Sequence, residues 1–488
     1  MALILFLQAS IAIGLILYAM SRGFEAVLPA AAFFLLLLPN EAQLQLAGMF
    51  DLTTQRVTVL ILLVLWVSIG KKKQHAEMLP LRWMIALVIG WMLLSSANSV
   101  VPTISFKTTL SQAFDYFAVY VIFATSITQV GTLKRILFAF VCAMMACSVI
   151  GYIEAYTGWS VISIFPELPS RFSDLGGGSN DRGLRVQSTF GHAILFGATL
   201  AMVIPMAMYL LSQAKAGGRR MFLWVALLLM IACIYKTSSR GPWIALGISF
   251  AVLLLLGHQS IRRYLTVMAL LTIMVLVARP GVGASISSMY EATRDPTSPE
   301  GQSYQWRYML YHLAGQELGK STERALWGYG PESFFYLGLT APFMVDGQTR
   351  TVKVLSCDSA VVEILIDTGY VGFLLVALIL VKAGLTARRV YADGGPDAKG
   401  LALAMALAVG AFSFMMTNVE IYGWGQQNYM LWILVAMIMV SPRLVKTLKT
   451  QTVEAVAADA AASDAPERKS LEERIAAYGS AHTWTLRK

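Results

Sequence analysis

Apolar positions along this chain fall in long blocks of Leu, Val, Ala, Ile and Met, separated by short polar connections. Blocks of roughly 20 apolar residues are what a helix needs to cross a hydrocarbon core about 30 Å thick. Inside such a core every backbone N–H and C=O must be satisfied within the segment, so these blocks are helices; an outer-membrane barrel would instead show short alternating segments. The pattern predicts about thirteen spans, beginning near Ala2, Val27, Val57, Trp83, Phe114, Ile136, His192, Met221, Pro242, Tyr264, Ala360, Leu401 and Met430. The expected fold class is therefore all-α, a polytopic transmembrane helical bundle of about 12–14 spans with a large, partly helical loop on one side.

Composition agrees: of 488 residues, 57% are hydrophobic and 14% charged. Lys71, Lys72 and Lys73 lie between the third and fourth predicted spans. Counting alternate connections onward gives Lys134 with Arg135, Lys215 with Arg219 and Arg220, Arg262 with Arg263, and Arg388 with Arg389. Basic loops in one phase mark the cytoplasmic side, which puts the N-terminus outside and the C-terminus inside. The net charge of +10 is thereby explained by topology, and no nucleic-acid partner is expected. Cys142, Cys147 and Cys233 fall in predicted spans and Cys357 near the outer surface, so no extracellular disulfide framework is available. No G-x-x-x-x-G-K-[ST], H-E-x-x-H or C-x-x-C occurs, which argues against an ATP-driven pump or a zinc hydrolase. The first apolar run lacks a basic leader and an A-x-A site, and reads as a retained span.

The boundaries that follow are an N-terminal transmembrane bundle over 1–278 with a first outer loop at about 157–191, a large outer loop over 279–358, C-terminal spans over 359–442, and a disordered cytoplasmic tail over 443–488 with room for one short helix. "DLGGGSND" makes the first loop flexible. In the second, Trp306, Met309, Leu310 and Leu313 recur at helical spacing, predicting an amphipathic helix on the membrane surface or against the bundle.

Within "TSSRGPWIAL" Arg240 stands at the outer end of a connection between two spans. Burying such a charge near a helix centre costs roughly 2.5 to 3.5 kcal/mol, so it snorkels to the interface, pairs with an acid, or serves a ligand. Arg185, in "RGLRVQSTFGH", and Arg307, in "QSYQWRYML", fall on the same outer side. Arginines gathered where topology does not call for them suit an anionic ligand, because the guanidinium recognises phosphate oxygens with two parallel donors. On the same side "SCDSAVVEILIDTGYVGFLL" opens a span at Asp358, which reads as a helix N-cap shared with Ser359 or as a functional carboxylate, two roles that are compatible. Glu363 and Asp367, at i and i+4, are expected as partners for buried arginines in preference to a proton path.

Four segments in order, "RVQSTFGHAILFG" (185–197), "SSRGPW" (238–243), "WGYGPESF" (327–334) and "DSAVVEILIDTGYVG" (358–372), resemble the O-antigen ligase and polysaccharide polymerase superfamily of bacterial inner-membrane proteins. With the span pattern the resemblance covers most of the chain up to about Pro442. It implies glycan transfer at the periplasmic face from an undecaprenyl-pyrophosphate-linked glycan donor to a glycan acceptor, in the lipid bilayer, with no cofactor, nucleotide or obligatory metal, and with a chain-length regulator as a candidate partner. Arg185 and Arg240 would bind the pyrophosphate, Arg307 is a third candidate, and His192 joins the substrate-binding set. The glycines of "GYGPESF" would let that loop turn tightly beside the glycan, although an ordinary surface turn fits equally well.

Ligases of the superfamily often begin the last segment with His-Asn, with histidine as the base; here it begins Asp358-Ser359. Asp358 is accordingly the candidate base, and His192 and His312 are the alternatives. Nearby arginines are expected to lower its pKa. The aspartate variant favours a polymerase of lipid-linked repeats. The other readings are a ligase moving finished glycan to lipid A core or to a protein, and a transporter or flippase. A transporter would carry functional charge near the membrane midplane, whereas here it gathers at the outer ends of spans.

Overall fold

The computed structural model describes residues 2–44, 51–70, 79–165, 185–266, 298–345, 348–423 and 425–462, with isolated positions between 269 and 295. Helices α1 (Ala2–Arg22), α2 (Phe24–Leu37), α3 (Thr54–Ser68), α4 (Arg82–Ala97), α5 (Pro102–Gln112) and α6 (Ala118–Ser126) are followed by α7 (Val130–Thr157), α8 (Ala193–Gln213), α9 (Gly218–Lys236) and α10 (Arg240–Leu256). After these come α11 (Pro299–Leu318), α12 (Thr322–Trp327), α13 (Ala360–Asp393), α14 (Pro396–Met415) and α15 (Gln426–Ala462). The protein is an all-α, multi-pass membrane bundle. Among the described residues, seven helices are long and apolar enough to span, and α2, α3, α4 and α10 are shorter apolar helices. The span expected from Phe114 begins earlier, at Pro102, and passes through a π-helical turn at Ala113–Phe117 before continuing as α6. Lys71, Lys72 and Lys73, most of the span expected from Tyr264 and the "DLGGGSND" stretch lie outside the described residues.

Helix α8 is the axis of the bundle, buried on nearly every side. Between helices in lipid there is no water to expel, so association relies on close packing across small residues. Gly197 shows this: a methyl group there would lie 2.8 Å from Cγ of Pro242, so α8 and the first turn of α10 meet backbone to ring. Gly400 of α14 likewise admits the Tyr209 ring of α8. At one end of the bundle Lys134 pairs with Asp397 at 2.7 Å and Tyr209 donates to Asp397 at 2.8 Å. The start of α8, the α9–α10 turn, the start of α13 and the end of α14 gather at the opposite end, which carries the site described below.

Two features differ from the sequence reading. The large loop holds a β-hairpin, β1 (Thr340–Val345) against antiparallel β2 (Gln348–Lys353), as well as α11 and α12. In addition, α15 runs through Pro442 to Ala462, so the chain stays helical beyond the expected boundary at 443, as the helix propensity of the alanine-rich stretch favours. Residues 463–488 lie outside the described residues. The amphipathic stripe packs as expected on its second option, against the bundle. Leu310 and Leu313 are buried, with Trp306 and Met309 beside them, in a small core shared with Val362 and Ile366 of α13.

Candidate active site

The α9–α10 turn fixes Arg240. Pro242 occupies the first turn of α10, where a missing N–H costs nothing, and rests on Gly197. Trp243 Nε1 donates to the Ile234 carbonyl at 2.9 Å, tying the new helix to the old one. Arg185 arrives from the preceding loop, its Nε donating to the Thr237 carbonyl at 3.1 Å and its terminal nitrogen to Ser239 Oγ at 2.7 Å. Arg185 thus braces the residue immediately before Arg240, and both side chains are half-buried.

Arg307 reaches the same place from α11. Its Nε donates to the Asn418 carbonyl at 3.0 Å and its Nη1 to Ser303 Oγ at 3.1 Å. Asn418 in turn flanks the α10 start, its Cβ 3.9 Å from where a methyl on Gly241 would lie. One turn beyond Arg307, on the same face of α11, Tyr311 accepts from Ser359 Oγ at 2.9 Å and donates to the Thr417 carbonyl at 3.3 Å. Arg185, Arg240 and Arg307, which the sequence brings from three separate segments, are therefore connected through Ser239, Asn418 and Tyr311 to the start of α13.

At that start the two readings of Asp358 separate. Ser359 is the N-cap of α13, its Oγ accepting from the Val362 N–H at 3.4 Å. Asp358 precedes the cap, is half-buried, and makes no hydrogen bond among the described residues. Burial raises its pKa and Arg307 lowers it; burial is the larger effect, so the carboxyl is a stronger base than a free aspartate. This reverses the direction expected from the arginines alone, because partial burial withholds more solvation than one guanidinium returns.

His192 is the residue before α8, partly exposed, with Nδ1 buried. Burial, then Arg185, then Arg307 push its pKa down to about 3, so the ring is neutral at pH 7 and adds no positive charge to the site. Its segment is held by Glu154, a residue not singled out in the sequence, whose Oε2 accepts from the N–H groups of Gln187 at 3.1 Å and Ser188 at 2.7 Å. His312 is exposed on α11.

Asp367 grips backbone from a distant segment of the chain. Its oxygens accept from the backbone N–H groups of Glu332 at 2.7 Å and Phe334 at 3.2 Å, and so hold the "WGYGPESF" loop. Asp367 and Glu363 also line a cavity of about 40 Å³ with Gln112 and Tyr422. The loop's tight turn is made against protein: a side chain on Gly328 would lie 2.6 Å from the Asp367 carbonyl. Across that contact α13 breaks at Gly369, whose φ of 68° and ψ of −174° are open to glycine alone. Trp327 stacks on Trp91 of α4 at 4.3 Å, locking the loop to the bundle. These partners were invisible in the sequence because every one is distant along the chain.

Residues 225–377, about a third of the chain, match the family model described as O-antigen ligase. The match supports the resemblance to the O-antigen ligase/polymerase superfamily. The match takes in Arg240, Arg307, Asp358 and the loop that Asp367 holds, while Arg185 and His192 precede it. No curated protein matches the chain. The superfamily's chemistry is glycan transfer of the ligase or polymerase type.

Proposed function

We propose that this protein polymerises polyprenyl-pyrophosphate-linked oligosaccharide repeats at the periplasmic face of a bacterial inner membrane. The observation that carries the reading is the Asp358 carboxylate, relieved of capping by Ser359 and set near Arg307 at the arginine-bearing end of the bundle. An acceptor hydroxyl attacks the anomeric carbon of the donor sugar while the bond from that carbon to the pyrophosphate oxygen breaks. The bonding pair leaves with the polyprenyl pyrophosphate, and the hydroxyl proton passes to Asp358. Arg240 and Arg307 neutralise the charge that develops on the leaving group, the role a metal ion fills elsewhere. Arg185 holds the turn that carries Arg240 and contributes to the same field, and neutral His192 offers a hydrogen bond to the donor. Aspartate at 358, where ligases of the family often place histidine, favours growth of a lipid-linked chain over transfer to lipid A core.

The test uses purified protein in detergent with a lipid-linked repeat. Wild type builds longer glycans on the lipid. Asp358→Asn, which keeps the shape and removes the charge, binds the donor yet extends it about 10²–10⁴-fold more slowly, the range typical of a lost general base. Arg240→Lys binds donor more weakly despite its charge, because an ammonium cannot form the planar fork. Unaltered extension by Asp358→Asn removes the base assignment, and transfer to lipid A core without chain growth replaces polymerase by ligase.

A further inference from the structure

A groove of about 430 Å³ runs between α13 and α14, with Ile438 of α15 at its floor. Phe373, Leu380 and Val361 supply its apolar walls. Two of its residues, Gly384 and Gly410, are exposed helical glycines, and a Cβ added to either would meet no atom within 4 Å. Gly197 and Gly400 have a packing reason to lack a side chain, since each admits a neighbour that a methyl would strike. Gly384 and Gly410 have none: a glycine inside a helix sacrifices conformational entropy, and here what it leaves behind is open width in the groove.

The groove asks for no hydrogen bonds. Ser413 Oγ donates to the Val409 carbonyl at 2.9 Å and Thr417 Oγ1 to the Phe414 carbonyl at 2.8 Å, so its hydroxyls are satisfied within their own helix. Its Thr417 end opens on the site. Val361 N donates to the Met416 carbonyl at 3.2 Å, Tyr311 donates to the Thr417 carbonyl, and the next carbonyl, of Asn418, receives Arg307. From Thr417 down to Ala406 the groove follows roughly 15 Å of helix rise, about half of a hydrocarbon core. The occupant that fits is therefore a molecule with an anionic head at the arginines and a single long apolar tail that descends from it.

The geometry points to this groove as the seat of the isoprenoid tail of the donor, whose units beyond the first two lie between Gly384 and Gly410 while the pyrophosphate meets the arginines. The inference rests on the donor class proposed above. Burial of the tail here adds affinity in proportion to the apolar surface covered and orients the pyrophosphate at the arginines.

The experiment compares binding of a full-length polyprenyl pyrophosphate and of geranyl pyrophosphate to the full chain in nanodiscs, with a photoreactive group on the tail to map the contact. Crosslinks fall on Phe373, Leu380 or Val381, and full-length lipid competes them away. Gly384→Leu and Gly410→Leu weaken the full-length ligand about tenfold and leave geranyl pyrophosphate unchanged, whereas Gly247→Leu, at an exposed glycine of α10 with equally open surroundings, alters neither. Gly410→Ala, a smaller intrusion, gives an intermediate loss, so a misfolded leucine variant does not decide the matter. Equal labelling by a photoreactive phospholipid, uncompeted by the polyprenyl ligand, makes the groove an ordinary annular lipid site and overturns the inference. Binding of both pyrophosphates with no effect of either glycine overturns it while leaving the donor reading intact. Failure of wild type to bind either pyrophosphate removes the donor reading and the groove's occupant together.

Discussion

Ser359 occupies the cap that Asp358 could equally have filled, and this small choice determines what the carboxylate is free to do. A capping aspartate is stabilised by helix N–H groups and has a lowered pKa; Asp358 is instead raised by burial, with Arg307 opposing. The folded protein then holds the proton better than the unfolded chain does. The contribution of this group to stability is present below the ordinary value of 3.8 and is lost as pH rises through the folded value, so ionised Asp358 weakens the fold at neutral pH. Two results follow. The acid limb of the pH–rate profile lies above 3.8, and in Arg307→Gln the residual activity has its limb at still higher pH, because the opposing charge is gone. A limb unmoved by that variant would mean another group titrates. His192 does not supply the limb near its ordinary 6.5, since its own pKa sits at about 3 in the free protein.

Among the elements, α13 does the most to assemble the site, through a break that no regular helix would contain. Its first part carries Ser359, Glu363 and Asp367; at Gly369 the chain takes a glycine-only conformation, and the loop from Trp327 to Phe334 packs into the break with its N–H groups on Asp367. A methyl on Gly369 would overlap the Leu326 carbonyl. Gly369→Ala therefore meets both backbone strain, about 1–3 kcal/mol, and a collision with fixed backbone. We expect a clear fall in thermal stability in detergent together with lost activity, although every charged residue of the site is unchanged. Gly247→Ala, into open space, is the matching control and stays within about 1 kcal/mol of wild type. Equal melting of the two variants would show that the break is dispensable.

For the whole molecule, the spans alternate so that Lys134, Arg135, Lys215, Arg219, Arg220, Arg262 and Arg263 fall at the end away from Asp358, as a single phase of basic loops requires. A reporter active only outside the cytoplasm, fused after Lys353, should give signal, and the same reporter at Lys488 should give none; the opposite pattern would turn the site to the cytoplasm and end the lipid-linked-donor reading. The sequence by itself determined the helical class, the approximate spans, their phase, and which side chains are chemically unusual, because hydrocarbon imposes its demands segment by segment and each can be read locally. It also carried the resemblance to a family, through short motifs in order. Only the tertiary structure decided what those motifs do: that Pro242 rests on Gly197 and so sets Arg240, that Arg185 braces the turn before it, that Ser359 caps and Asp358 does not, and that Asp367 grips the loop from Trp327 to Phe334. Each of these is a contact between segments tens to hundreds of residues apart, and a partner of that kind leaves no periodicity in the chain that carries it.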